Sequence, residues 1–508
     1  MAQKDTFIQT IKDGYAFKGD KVKLGIGILE GTPVEDAEVF LPLKTLNRHG
    51  LIAGATGTGK TKSVQMIAEY LSDNSIPVLL MDIKGDLSGL AAAGTLNEKI
   101  TERYKLLHLD YKPEAFPVEL LTLSNEKGVK LRATVSEFGP ILLSKILELN
   151  DTQAGLMAML FKFCDDDQLP LVDLKDLIKV LQYVSNEGKD ELVKQYGNIA
   201  TTSVGTILRK VIELQQQGAD TFFGEPSFEV ADLMRISDDG RGMVNILRVT
   251  DMQNKPKLFS TFMLQMLDEL YSSSPEAGDI DKPKLVIVID EAHLVFEEAS
   301  DALLQKIETI IKLIRSKGIG IYFCTQNPQD VPAGILSQLG LKIQHALRAF
   351  TAADRKTIKQ AAENFPESPF YKTDELLTQM GIGEAFVTLL NEKGIPTPLV
   401  HTLLCSPRSR MDILNESEIN TLINSSRLAP KYANSIDPQS AYEILTQKLQ
   451  QAAAQQQTAA QETAQKKEPG FFDNTFVKSA LRTATTLVTG TIVRSILGSL
   501  GLGGKKRK

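Results

Sequence analysis

The octapeptide Gly54-Ala55-Thr56-Gly57-Thr58-Gly59-Lys60-Thr61 restricts the fold of this 508-residue chain more than any other feature. It has the form G-x-x-x-x-G-K-[ST], whose glycines let successive backbone N–H groups turn inward around a phosphate. The motif has meaning only between a strand and a helix, and the flanking residues predict both. Leu51-Ile52-Ala53 forms a short apolar strand before it, and Val64, Ile67 and Leu71 give the segment after it one apolar helical face. Val78-Leu79-Leu80-Met81 then supplies a second strand. Strand, helix and strand in this order make a unit of a mostly parallel sheet covered on both faces. The predicted fold class is α/β with a P-loop NTPase core. Gly54 to Thr61 and the adjoining Lys62 form the expected nucleotide cradle, backed by the N-terminus of the following helix. Lys60 is expected at the β- and γ-phosphates of ATP, and the Thr61 hydroxyl on Mg²⁺.

A second element strengthens this reading. Lys284-Leu285-Val286-Ile287-Val288-Ile289 is a fully apolar strand that delivers Asp290 and Glu291 to its C-terminal end. Ligands of open α/β sheets collect along that edge. Asp290 is expected to hold the metal through water, and Glu291 to orient and polarise the attacking water. Gln326, at the end of the next apolar run, is expected to sense the γ-phosphate or the water. The letters Asp290-Glu291-Ala292-His293 match the box of the DEAH helicases, but such helicases need a second lobe with an arginine-rich motif. No such motif follows, and His293 is read as a residue that starts a helix beside the site.

The rest of the chain divides around this core. Residues 1–47 carry short alternating runs and are read as a small β-element. Residues 48–130 and 236–435 are read as two parts of one core, with strands at Met243–Val249, Leu285–Ile289, Ile319–Cys324 and Lys342–Ala346. Residues 131–235 show helical stripes and are read as a helical insertion. Residues 436–508 begin as a Gln- and Ala-rich linker, then carry an apolar stripe from Val477 to Leu500 and end in Lys505-Lys506-Arg507-Lys508. The net charge of −6 argues against a broad basic coat for nucleic acid, although charge matters only where contact occurs. The cysteines Cys164, Cys324 and Cys405 are far apart and are read as reduced thiols. With no signal-like or membrane-spanning apolar run, the expected location is cytoplasmic.

Taken together, Asn47-Arg48-His49-Gly50 before the glycine-rich loop, Asp82-Ile83-Lys84-Gly85-Asp86, the acid-pair strand and Thr325-Gln326-Asn327-Pro328 resemble the HerA–FtsK superfamily. Within it they resemble the compact bacterial HerA-like proteins of the YjgR type, over roughly residues 20–430. The resemblance implies a RecA-like core, a homo-oligomeric and hexameric ring, and ATP-driven handling of DNA. It also implies roles for three further residues. Arg48 resembles an arginine presented to a neighbouring subunit's nucleotide, and Arg315 one that contacts nucleotide across or within the interface. Asp82 resembles an acid near the metal and water, and Arg348 is a weaker substitute for the two arginines. Residues 1–47 are too short for the full N-terminal β-barrel of archaeal HerA, so partner docking through such a barrel is not implied. The competing reading is an ATP-gated assembly or anchoring protein acting on a protein or membrane partner rather than DNA. The basic, amphipathic tail would suit a peripheral membrane contact, but such stripes more often pack on a partner helix.

Overall fold

The computed structural model describes residues 2–465 apart from 198, 254, 298, 437 and 438. The apolar stripe from Val477 to Leu500 and the basic terminus lie outside the described residues. The described chain divides after Leu445 into two units, and the larger one, Met1–Leu445, carries every predicted site residue. The Gln- and Ala-rich segment is the helix Ala441–Gln465, whose residues from Thr446 onward belong to the second unit.

One 12-stranded sheet organises the larger unit. Its strands are β1 (Lys21–Leu29), β2 (Thr32–Pro42), β3 (Gly50–Ala53), β4 (Val78–Asp82), β5 (Val118–Thr122) and β6 (Val129–Lys130), followed by β7 (Val244–Arg248), β8 (Leu285–Ile289), β9 (Ile319–Thr325), β10 (Leu341–Gln344), β11 (Glu384–Thr388) and β12 (Val400–Leu404). Their order across the sheet is β2-β1-β12-β11-β10-β3-β9-β8-β4-β7-β5-β6. From β10 to β6 every pairing is parallel. The central strands read as unbroken apolar runs because helices cover both faces. In β8 all five residues, Leu-Val-Ile-Val-Ile, are buried. Each such side chain contributes about 1.5–3 kcal/mol of burial, so the strand that carries the acid pair is firmly anchored.

Beyond β10 the sheet turns antiparallel through β11 and β12 to the N-terminal hairpin. The alternating runs of residues 21–42 are therefore continuous with the core sheet: β1 pairs with β12 through Gly25↔Leu404. Ahead of the hairpin lies a helix, Ala2–Gly14, which the β-element reading omitted. Its buried apolar residues are only Phe7 and Ile11, too sparse to announce a helical stripe. Phe7 packs edge-on against Phe370 and Tyr371, a contact that only the tertiary fold supplies.

Between β6 and β7 the chain is helical, with long helices at Val135–Ile146, Asp151–Asp166, Leu174–Ser185 and Thr201–Gln216. Three of these open with reciprocal capping pairs, Thr134/Glu137, Asn150/Gln153 and Asp173/Asp176. Such caps satisfy N–H groups that each helix start would otherwise leave unpaired.

Candidate active site

The glycine-rich loop leaves β3, in the middle of the 12-stranded sheet, and enters the helix Lys60–Asp73. Gly54 and Gly59 both have positive φ, at 152° and 111°. A Cβ at Gly54 would lie 2.5 Å from the Cβ of His345, and one at Gly59 would lie 3.2 Å from the Gly383 nitrogen. Their positive φ and the close packing of His345 and Gly383 thus call for glycine at these two positions. His345 is fully buried under the loop, with Nε2 2.9 Å from Ser63 Oγ and Nδ1 3.0 Å from the Glu384 carbonyl. Burial pushes its pKa down to about 4, so it supports the loop as a neutral ring. No side chain caps the start of the helix, which leaves its first N–H groups for an anion.

Lys60 is buried, and its ammonium donates to the carbonyls of Gly54 and Ala55. Burial lowers its pKa, while Glu291 and Asp290 act in the opposite direction. Lys62 turns elsewhere: its ammonium donates to the Met411 carbonyl, so only its backbone remains at the cradle. Thr61 Oγ1 donates to Asp86 Oδ2 at 3.2 Å.

Because the order β3-β9-β8-β4 is uninterrupted, the C-terminal ends of these strands place the loop, Gln326, the acid pair and the segment after Asp82 side by side. Asp290 and Glu291 are both buried, and Glu291 has a left-handed backbone with φ 47°. A non-glycine residue holds that conformation at a cost of roughly 1–2 kcal/mol and persists in it only where its surroundings fix it. Burial raises the pKa of Asp290, opposed by the nearby Lys84. Lys84 pairs with Glu291 Oε1, and His293 Nδ1 lies 3.2 Å from Glu291 Oε2. Burial works against the Lys84 ammonium, but Asp290 and Glu291 outweigh it and hold its pKa above the ordinary lysine value. His293 does start a short helix, His293–Phe296, as expected of its position.

Gln326 is exposed at the tip of β9 and lines two adjoining pockets. One, of about 440 Å³, is shared with His293, Phe296 and Asp330. The other, of about 550 Å³, is shared with Ala55, Thr56, Arg348 and Phe350. Thr325 and the Asn327 backbone both donate to Asp330, which fixes the strand tip.

Asp82 ends β4 at the expected edge, but its carboxylate is taken up by the turn that follows. Its Oδ1 accepts from Gly85 and Asp86 N–H at 2.7 and 3.1 Å, and its Oδ2 from Leu87 N–H at 3.1 Å. Burial raises its pKa to about 6 against the pull of those bonds. Asp82 shapes the turn, and Asp86 is the acid that touches Thr61. The other Asp86 oxygen, Oδ1, is buried without a hydrogen-bond partner among the described residues. Thr61, Asp86 and Asp290 therefore fit a hard cation that takes few protein oxygens and completes its shell with phosphate and water, as Mg²⁺ does. No group of three or more His, Cys, Asp or Glu among the described residues is arranged to cage an ion alone. The glycine cradle and Lys60 fit a polyphosphate in the same way.

Arg48 and Arg315 sit at the opposite edge of the sheet. Arg48 precedes β3, and Arg315 precedes β9, which pairs in parallel with β3 from Gly50↔Tyr322 onward. Four to seven strand residues separate them from the loop, which at 3.3 Å per residue is on the order of 13–23 Å. Arg48 donates to the carbonyls of Asn391 and Glu392 at 3.0 Å each. Its pKa is lowered by burial and by the neighbouring Arg315 charge. Arg315 is exposed and has no ion pair among the described residues. Within one subunit neither arginine reaches the cradle; Arg348 does line its flank.

A central parallel sheet, a glycine-rich phosphate loop and an acid pair two strands away define a P-loop ATPase with a RecA-like core. The chain belongs to the HerA family: the model described as "Helicase HerA-like C-terminal" matches residues 28–507. Among curated relatives, the DNA double-strand break repair helicase HerA of Saccharolobus solfataricus is 23% identical over 370 residues, covering 72% of this chain and 66% of that protein. The DNA import protein CedB of Sulfolobus acidocaldarius is 24% identical over 377 residues, covering 74% of this chain and 55% of that protein. The chain thus spans about two thirds or less of the length of these two relatives. Among solved structures, the plasmid coupling protein TrwB in complex with the non-hydrolysable ATP analogue ADPNP superposes with a TM-score of 0.50 at 13% identity, covering 78% of this chain and 99% of TrwB. At that identity the likeness concerns the fold.

Proposed function

We propose that this chain binds Mg-ATP at the edge formed by the ends of β3, β9, β8 and β4, and hydrolyses it as a homo-oligomeric, hexameric ring acting on DNA. The observation that carries the ring is the placement of charge on two opposite edges. Phosphoryl transfer needs positive charge at the γ-phosphate. Arg315 is an exposed cation without an ion pair among the described residues, and it lies at the far edge. A head-to-tail contact brings the far edge of one subunit to the cradle of the next, and such contacts make a ring when the rotation between subunits closes.

In this reading the cradle and Lys60 bind the phosphates, while Thr61, Asp86 and Asp290 hold Mg²⁺. Glu291 orients water, Gln326 responds to the γ-phosphate, and Arg315 supplies charge in trans. Bound Mg²⁺ would draw charge from the phosphate oxygens. Arg48, held by Asn391 and Glu392, keeps the far edge in shape beside Arg315. Mixing tests the shared site. Arg315→Ala and Glu291→Gln subunits, each nearly inactive alone, should regain part of wild-type turnover together, because some interfaces combine an intact Glu291 with a neighbour's intact Arg315. No recovery between subunits shown to exchange would remove Arg315 from the site.

DNA as the substrate is supported by the names of the relatives, a DNA repair helicase and a DNA import protein. With a net charge of −6, contact is expected in a channel where a few cations from each subunit converge. ATP turnover measured against DNA length should rise only once the DNA can thread the ring. The stimulation should fall by orders of magnitude between roughly 50 and 200 mM salt, as counterion release requires. Flat turnover at every length and salt concentration, with a response to a protein partner or to vesicles, would replace the motor by an ATP-gated anchoring protein.

A further inference from the structure

We propose that Lys84 is a positioning residue that anchors one oxygen of Glu291, so that the other is aimed at the attacking water. The proposal rests on the reading of Glu291 as the group that activates water. β4 runs parallel to β8 with Met81 opposite Ile289, so the turn after β4 overhangs the acid pair. Asp82 fixes that turn through its three backbone hydrogen bonds. Gly85 adopts φ 76° within it. The fixed turn sends two side chains into the site: Asp86 to Thr61 and Lys84 to Glu291. One loop therefore touches both the metal side and the water side of the reaction centre.

The Lys84–Glu291 contact is unlike an ordinary surface ion pair, which contributes little. The Glu291 side chain is 8% exposed, against 34% for Lys84. Neither Glu291 oxygen accepts a well-aligned hydrogen bond from elsewhere among the described residues, so the lysine charge is what offsets its burial. With Oε1 held by Lys84, Oε2 lies 3.2 Å from His293 Nδ1, and the His293 ring in turn lines the 440 Å³ pocket it shares with Gln326. A carboxylate that can swing about its terminal bond presents the wrong lone pair much of the time, and the anchor removes that freedom.

A mutant cycle tests this: Lys84→Met, Lys84→Gln and Lys84→Arg, Glu291→Gln, and Lys84→Met with Glu291→Gln. Lys84→Met and Lys84→Gln should each lower kcat by about 10–100-fold, within the range general-base catalysis supplies. ATP affinity should stay within about threefold, because the lost contact serves the transition state and not binding. Lys84→Arg should keep most of the rate. In the Glu291→Gln background, Lys84→Met should cost nothing further, since the group it positions is already gone. Unchanged or raised kcat in Lys84→Met and Lys84→Gln, a loss carried by KM, or losses that multiply in the double variant would overturn the proposal while leaving Glu291 its role. Wild-type turnover in Glu291→Gln alone would overturn both.

Discussion

Lys60→Ala loses ATP binding and ATP turnover together. The side chain is buried at the base of the cradle, and its ammonium is held by the carbonyls of Gly54 and Ala55. A charged hydrogen bond of this kind contributes roughly 1.5–3 kcal/mol, so ATP affinity should fall by about 10–100-fold. Turnover at saturating ATP should fall by a further 10²-fold or more, roughly the loss on removing a preorganised donor to developing charge. Titration with a fluorescent ATP analogue and a phosphate-release assay measure the two effects. Because Lys60 also ties Gly54 to Ala55, Lys60→Met serves as a control that keeps the buried stem. Equal melting temperatures without nucleotide would show that the loop, and not the fold, was changed.

Glu291→Gln separates what Lys60→Ala joins. Glutamine matches glutamate in shape and accepts the φ of 47° no worse, so the strand end keeps its form. It cannot take a proton or polarise water as a carboxylate does. ATP affinity should therefore stay near that of the wild type, while kcat falls by about 10²–10⁴-fold. An equal loss of binding in this variant would place Glu291 among the phosphate or metal contacts instead.

The parts of the site that were legible in the sequence are those whose chemistry is local. Gly54 to Thr61 is a strand end, a turn and a helix start in eight consecutive residues, and each conformational demand shows in residue type. The acid pair is legible because β8 is apolar to its last residue. The choice between Asp82 and Asp86 is not, since both sit in one five-residue turn and only its hydrogen bonds say which carboxylate faces Thr61. Lys84 lies in the same motif, but nothing in its spacing tells of Glu291, some two hundred residues away. His345 needs the tertiary fold as well, because its contact with Ser63 forms only when β10 pairs with β3. The far-edge position of Arg48 and Arg315 was implicit in chain order, because both precede their strands while the cradle and Gln326 follow them. The N-terminal hairpin joins the core sheet through β12, a pairing between residues nearly four hundred apart that local alternation cannot specify.

Identifying the nucleotide that stays bound tests the assignment of this edge most directly. Wild type and Glu291→Gln are incubated with ATP and Mg²⁺, freed of unbound nucleotide, denatured and analysed for ATP and ADP. Retained ATP in Glu291→Gln and ADP in the wild type is the expected result. ADP in both, or no retained nucleotide in either, would contradict the placement of ATP hydrolysis at Gly54–Thr61, Asp290 and Glu291.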